Sequence, residues 1–224
     1  MPLFSADLAP SPQRDATSAP TPRPQPDRPA LVPIFLKLAG RRVLVVGGGP
    51  VAAAKLAGLR DTGAEIVLVA PAIGAPARAE IARHPKGVTV VERPFEERDL
   101  DGAWLVIAAA PPEVNREVAA GAESRRLFVV AVDDPAAASA YGGGTLRRGG
   151  VTVAISTDGQ APALAGLLRE GLEAVIPPDA DMDAWVAEAN RQRPLWRAGR
   201  VPITERRPLL LRALNRLYDR EGDK

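Results

Sequence analysis

Three short stretches of this chain carry residue types whose spacing could do chemistry. The first is Gly47-Gly48-Gly49-Pro50-Val51-Ala52. It fits G-x-G-x-x-G/A, with Gly47, Gly49 and Ala52 at the small positions. In such a turn the first glycine permits a tight bend and the second lets a pyrophosphate reach the backbone. The third small residue lets the helix pack closely on the sheet. Pro50 opens the helix, and the free N–H groups there, at Val51 and Ala52, face an anion. A bare strand-to-helix corner, or the seat of another nucleotide or anion, are the competing readings. An acid is expected about 20 residues on, at the end of the second strand, to hold ribose hydroxyls. That region reads Val67-Leu68-Val69-Ala70-Pro71, and Glu65 stands at the wrong end of the strand. Either backbone groups at Ala70 and Pro71 hold the ribose, or the cofactor is not a standard NAD.

The second stretch is Val130-Ala131-Val132-Asp133-Asp134-Pro135. A carboxylate at the carboxyl end of a strand faces the ligand cleft of a doubly wound sheet. With two adjacent acids, one can cap the turn before Pro135 while the other faces the ligand. Beside a nicotinamide it could act as a general base or hold a metal ion. The third stretch, Ser156-Thr157-Asp158-Gly159-Gln160, lies between an apolar strand pattern and a helix pattern. Its hydroxyls either cap the helix or bind an anion at its start. Arginine pairs recur at Arg41-Arg42, Arg125-Arg126, Arg147-Arg148 and Arg206-Arg207. Each is solvated surface or part of an anion site, since the guanidinium fork matches a carboxylate. The single histidine, His84, sits in a polar stretch before Pro85 and reads as a surface residue.

These pieces need a scaffold, and the pattern predicts one. Strands are expected over 42–46, 65–69, 88–92, 104–108 and 127–132. Helices are expected over 50–60, 76–83 and 112–125. Strands alternating with helices argue a parallel, doubly wound α/β sheet. The nearly all-apolar strands at 43–46 and 105–108 agree, because parallel strands are buried on both faces. Beyond 132 the alternation breaks. Segments 145–148 and 151–156 read as a hairpin around Gly149-Gly150. A helix over 161–175 stops at Pro177-Pro178. Two further helices are expected over 181–193 and 202–220, with Asp181 and Thr204 as N-caps. Residues 1–29, rich in Pro, Ser, Ala and Thr, read as a disordered leader.

Composition bounds the function. There is no cysteine, so no thiolate nucleophile, disulfide or Cys-based metal site. Lys and Arg number 29 against 27 Asp and Glu, too balanced for a general nucleic-acid binder. No apolar run approaches the roughly 18 residues of a membrane span. The first residues lack the order of a secretory signal. The expected compartment is the cytoplasm.

Taken together, these residues resemble the precorrin-2 dehydrogenase family, which includes the N-terminal module of siroheme synthase. The opening match is Pro33-Ile34-Phe35, then the glycine turn and Lys55. Val132-Asp133-Asp134-Pro135 with Ala138-Ser139 resembles the family's "VVDxP" segment. Thr145-Leu146-Arg147-Arg148-Gly149 and Ala154-Ile155-Ser156-Thr157-Asp158-Gly159-Gln160-Ala161-Pro162-Ala163-Leu164 resemble its "TLRRG…AISTGGxSPxLA" segment. Leu167-Leu168-Arg169-Glu170 and Leu172-Glu173 follow in register. The resemblance covers 31–178 and continues more weakly to about 220.

It implies a Rossmann-like NAD-binding domain over 30–142, a dimerisation region over 143–178, and a helical region over 179–224 that caps the active site. The implied reaction is NAD-dependent oxidation of precorrin-2, a tetrapyrrole, to sirohydrochlorin. Some members also insert Fe2+, here a substrate, to give siroheme. The acid aligned with Asp133 is the implied catalytic residue, and a homodimer is implied. The family is loose about the ribose-binding acid, which accounts for the gap after Val69. Arg147, Arg148 and the turn at Ser156 and Thr157 are candidates for the substrate's carboxylates. There are departures. Ala140-Tyr141-Gly142-Gly143-Gly144 stands where an aromatic and Pro-Ala or Pro-Ser are usual, with Tyr141 as the shifted aromatic. Asp158-Gly159 replaces Gly-Gly, and Thr157 stands where some relatives have a phosphorylated serine. The methyltransferase module of siroheme synthase has no counterpart in these residues, so precorrin-2 is expected from another enzyme. Two other classes fit parts of the pattern. A non-catalytic NAD-binding sensor would keep the glycines without needing Asp133. A chelatase alone would keep Asp133 and tolerate damage to the glycines.

Overall fold

The computed structural model describes residues 30–83 and 87–219. The expected leader at 1–29 and His84 lie outside the described residues. The chain divides into two compact units. One comprises 31–144 with 156–166, the other 145–155 with the residues from 167 onward.

In the first unit, five parallel strands run in the order β3-β2-β1-β4-β5. They are β1 (Arg42–Val46), β2 (Glu65–Ala70), β3 (Val88–Glu92), β4 (Leu105–Ala108) and β5 (Phe128–Ala131). Between them lie α1 (Pro50–Gly58), α2 (Ala75–Ala82) and α3 (Pro112–Ser124). This is the expected doubly wound, Rossmann-like sheet. Alternation along all-apolar strands explains the two layers. Val43 and Val45 pack on one face with Ala52 and Leu56 of α1 and Ala77 of α2. Leu44 and Val46 pack on the other with Val118 and Ala122 of α3. Strand order reverses between β1 and β4, where ligands of such sheets bind.

A 3-10 turn, Glu97–Leu100, went unread in the sequence. Its Asp99 is buried and accepts from Arg93 Nη1 and Nη2 at 2.8 and 2.5 Å and from the Glu96 N–H at 2.9 Å. The Arg93 hydrogen bonds hold the Asp99 carboxyl below the usual carboxylate range, against the opposing effect of burial. On the other face Arg60 and Arg83 lower Glu80 in the same way, and Arg60, just past α1, ties that segment to α2.

The second unit holds the expected hairpin, β6 (Gly144–Arg148) and β7 (Val151–Ile155). Its turn residues Gly149 and Gly150 have φ of 43° and 74°. A Cβ on Gly149 would lie 2.6 Å from the Asp179 carbonyl oxygen, so the turn is closed by the start of the helix that begins at Asp179 as well as by its own bend. Three helices follow: α4 (Pro162–Val175), α5 (Asp179–Ala198) and α6 (Ile203–Asp219). Two expected caps are corrected. Helix α5 begins at Asp179 with Pro178 as N-cap, which puts Asp181 inside the first turn. Helix α6 begins at Ile203, so Thr204 is already helical. The expected end at 193 also moves, because α5 carries Pro194 inside and runs to Ala198. Proline removes one N–H and crowds one carbonyl, a local cost that the remaining helix absorbs here.

Candidate active site

The glycine turn follows β1 at the reversal of strand order. Gly47 has φ of 124°, open only to glycine, and its Cβ would sit 2.1 Å from the Ala109 carbonyl oxygen. Gly48 is crowded from the other side, by the Ala72 carbonyl oxygen at 2.1 Å. Gly49 is different. Its φ is −89°, and a Cβ there would meet nothing within 4 Å. The chain's own packing therefore explains glycine at 47 and 48 but not at 49. Open space in front of a glycine is what a closely approaching pyrophosphate requires.

Helix α1 supports that reading. Its N-cap is Gly49, with no side-chain cap and Pro50 at the start. The first backbone bond at this end runs from Ala53 N–H to Gly49 O. The N–H groups of Val51 and Ala52 precede it and lie at the positive end of the helix dipole. Ala52 is fully buried against the sheet, as the third small position demands. The segment after β2 closes the other side. Ala70 is buried, Pro71 is exposed, and Gly74 N–H donates to Gly48 O at 2.8 Å. No acid stands at 70 or 71, so β2 itself offers a ribose only backbone.

Asp133 lies just past β5, on the same carboxyl edge. Val132 N–H donates to Ala108 O at 3.0 Å, and Ala109, the next residue of that strand end, is the one that crowds Gly47. The two adjacent acids have separate roles. Asp134 Oδ1 accepts the Ala137 N–H at 3.2 Å and so caps the turn at Pro135. Asp133 is exposed, its carboxylate has no partner among the described residues, and its φ is 58°. A left-handed non-glycine residue carries strain of about 1 kcal/mol, a feature that concentrates at functional sites.

The loop from 156 to 161 packs on this turn. A Cβ on Gly159 would lie 2.9 Å from Tyr141 Cε1 and 3.3 Å from Pro135 Cγ. Tyr141 itself donates its hydroxyl to Pro135 O at 3.2 Å. Both Asp158 and Gly159 are left-handed, at φ of 54° and 72°, which gives the physical reason why glycines suit this pair. The hydroxyls at 156 and 157 already serve the chain. Ser156 Oγ accepts the Asp158 N–H at 3.1 Å, and Thr157 Oγ1 accepts the Ala161 N–H at 3.2 Å. Arg147 and Arg148 lie on β6, in the other compact unit; Arg148 pairs with Glu173 there at 3.4 Å.

Two residues of this edge went unread. Asn115, on α3, is buried. Its Oδ1 accepts the Ala110 N–H at 2.9 Å and its Nδ2 reaches toward Val132 O at 3.5 Å, joining the ends of β4 and β5. The signal was available: Asn115 shares the core-facing helix stripe with Val118, Ala119 and Ala122. Lys55, which follows the glycine turn on α1, brings its ammonium to 3.6 Å from the point where a Cβ on Gly142 would stand. No sequence spacing links those two residues.

Comparison with known proteins points one way. Residues 34–144 match the NAD(P)-binding family model, and residues 148–174 match that of the sirohaem biosynthesis protein central region. Siroheme synthase 1 of Pectobacterium atrosepticum is 40% identical over 177 residues, covering 78% of this chain and 36% of that protein. The siroheme synthase of Pseudomonas entomophila is 40% identical over 147 residues, covering 65% and 31%. The chain thus spans about a third of the length of these curated relatives. The solved structure of SirC, precorrin-2 dehydrogenase, superposes with a TM-score of 0.58 at 24% identity, over 80% of this chain and 87% of that one. That likeness supports the fold.

Proposed function

We propose that the chain is a member of the precorrin-2 dehydrogenase family and that it oxidises precorrin-2 to sirohydrochlorin with NAD. One observation carries the reading. Gly49 has no reason within the chain to be glycine, and it opens onto unbonded N–H groups at a helix start. The residues present fit a dinucleotide: Gly47, Gly48 and Gly49 make the turn, Pro50, Val51 and Ala52 the helix start, and Ala70 and Pro71 the ribose edge.

Bound NAD supplies a hydride acceptor. The protein's share is position and the proton. The substrate loses two hydrogens, one as hydride and one as H+, and Asp133 takes the H+ on a carboxylate that no other side chain occupies. Its exposure at the carboxyl edge suits a base that must meet a large macrocycle. The substrate is a polycarboxylate, and Arg147, Arg148, Ser156 and Thr157 are the groups we assign to it. Fe2+ insertion into sirohydrochlorin would use the same carboxylate, which can accept a pyrrole proton as the metal enters.

We assign residues 30–142 to cofactor binding, 143–178 to dimerisation and 179–224 to covering the site. Support for a homodimer comes from α4. Leu167, Leu168, Leu172 and Val175 lie on one helical stripe and are 66%, 47%, 36% and 73% exposed. An apolar stripe of this kind marks an interface. No helix among the described residues is long and apolar enough to cross a membrane, and the cytoplasm is the compartment we propose.

The test is stepwise. Precorrin-2 with NAD should yield sirohydrochlorin and NADH; sirohydrochlorin with Fe2+ should then yield siroheme. Turnover in the second step alone makes the chain a chelatase. Turnover in neither, with NADH still bound, makes it a sensor.

A further inference from the structure

The missing ribose acid leaves a question about the loop after β2, and two charged side chains outside the site described above answer it. Arg78 lies on α2, one turn past the loop. Its Nε–H donates to the Ile73 carbonyl at 3.0 Å, which fixes the guanidinium against the loop that borders Gly48. Its Nη2 pairs with both Glu92 carboxylate oxygens, at 3.3 and 3.5 Å. Glu92 ends β3 and stands in register with Ala70, the last residue of β2. Val88 packs into the cluster that contains Ala77 of α2, so alternation turns Glu92 to the same face. The carboxylate therefore comes from the neighbouring strand, to the edge where an acid on β2 is absent. Both side chains remain about half exposed, 59% for Arg78 and 48% for Glu92.

The chemistry of this edge is a choice between two cofactors. An unphosphorylated ribose needs an acceptor or a neutral surface; a 2′-phosphate needs a guanidinium. We propose that Arg78 and Glu92 select between NAD and NADP, with Glu92 neutralising an arginine that would otherwise read the 2′-phosphate. The inference rests on dinucleotide binding at the glycine turn and deepens it. Arg78 supplies a fork already oriented by Ile73. Glu92 occupies that fork and places a negative charge where a phosphate would arrive. The wild-type chain accordingly takes NAD.

Direct binding tests this without turnover. NADH and NADPH are titrated against the full chain by calorimetry, for wild type, Glu92→Gln, Arg78→Gln and the double variant. In Glu92→Gln the NADPH affinity should rise about fivefold at low salt, the size of one exposed charge contact, while NADH affinity stays within about twofold. The gain should shrink as salt is raised. Adding Arg78→Gln should abolish it. An unchanged NADH to NADPH ratio in Glu92→Gln overturns the inference alone. So does a gain that survives in the double variant. Failure of the wild-type chain to bind either dinucleotide overturns the glycine-turn reading and this inference together.

Discussion

Two strand-to-helix corners in this chain look alike in sequence and differ in what they leave open. At the corner before α1 the backbone does the work. Glycines take the bend, no side chain caps the helix, and the N–H groups at its start stay available. At the corner before α4 the hydroxyls of Ser156 and Thr157 take up the N–H groups of Asp158 and Ala161. The first corner leaves its helix-start N–H groups open; the second is satisfied by its own chain. A polar side chain at a helix start is thus poorer evidence for an anion site than a helix start without one. Asp133 lies beside the second corner and repeats the contrast at the scale of two residues: Asp134 caps, Asp133 does not.

The largest expected effect falls on the uncapped acid. Asp133→Ala should lower turnover by about 10²- to 10⁴-fold, the range of a lost general base, with NADH affinity unchanged. Asp133→Gly should lose the same activity while gaining about 1 kcal/mol of stability, because glycine relieves the left-handed backbone. A glycine variant that melts lower and still turns over would remove Asp133 from both roles.

Next come the glycines of the first corner, which should separate from one another. Gly49→Asp puts a side chain and a negative charge where a bound pyrophosphate would sit, and NADH affinity should fall at least about 100-fold with the melting temperature nearly unchanged. Gly48→Ala forces a methyl into the Ala72 carbonyl and should cost about 3 kcal/mol of stability before any ligand is added. If Gly49→Asp unfolds the chain and Gly48→Ala does not, the division between a packing glycine and a ligand glycine is wrong.

A smaller effect belongs to a region that serves neither corner. Asp99 is held by Arg93 with its carboxyl below the usual range. Its folded value lies below its unfolded one, so its contribution is present above the unfolded range, about pH 4, and is lost as pH falls through the folded value. Asp99→Asn should cost about 2 kcal/mol at neutral pH and flatten the acid limb of the stability curve. Denaturant melts at neutral and acid pH would show both, with NADH affinity at neutral pH untouched.

The sheet was legible in the sequence because its signal is redundant. Four or five apolar residues in a row, bounded by glycine or proline, read as buried parallel strands at 42–46 and 105–108. The glycine turn was legible because proline and three glycines leave few alternatives. The details around it were not. Nothing in the spacing shows that Gly48 meets Ala72, since that contact depends on how the loop after β2 returns. Asn115 is hidden in the sequence because a helix period does not distinguish a buried polar residue, bonded to the ends of β4 and β5, from an exposed one. Helix α5 alone outran its expected end, because Pro194 reads as a stop although an interior proline is tolerated where the rest of the helix persists. The cap assignments at Asp181 and Thr204 failed for a related reason: good cap residues are also tolerated in the first turn.

The smallest effect tests the second corner directly. Thr157→Ala removes the acceptor for Ala161 N–H and should lower stability by about 1 kcal/mol, the usual worth of a helix-start side chain. NADH affinity should not change, because the first corner is untouched. The instructive quantity is the Michaelis constant for precorrin-2. If Thr157 only satisfies its own helix, that constant stays put while the melting temperature falls. If the hydroxyl also meets a substrate carboxylate, Thr157→Ala raises the constant, and Thr157→Ser, which keeps the oxygen, restores both. A raised Michaelis constant would weaken the contrast between the corners, since a capping hydroxyl would then serve two partners. An unchanged one would make the backbone N–H groups of the first corner, and the carboxylate of Asp133, the open polar groups with which this edge meets its ligands.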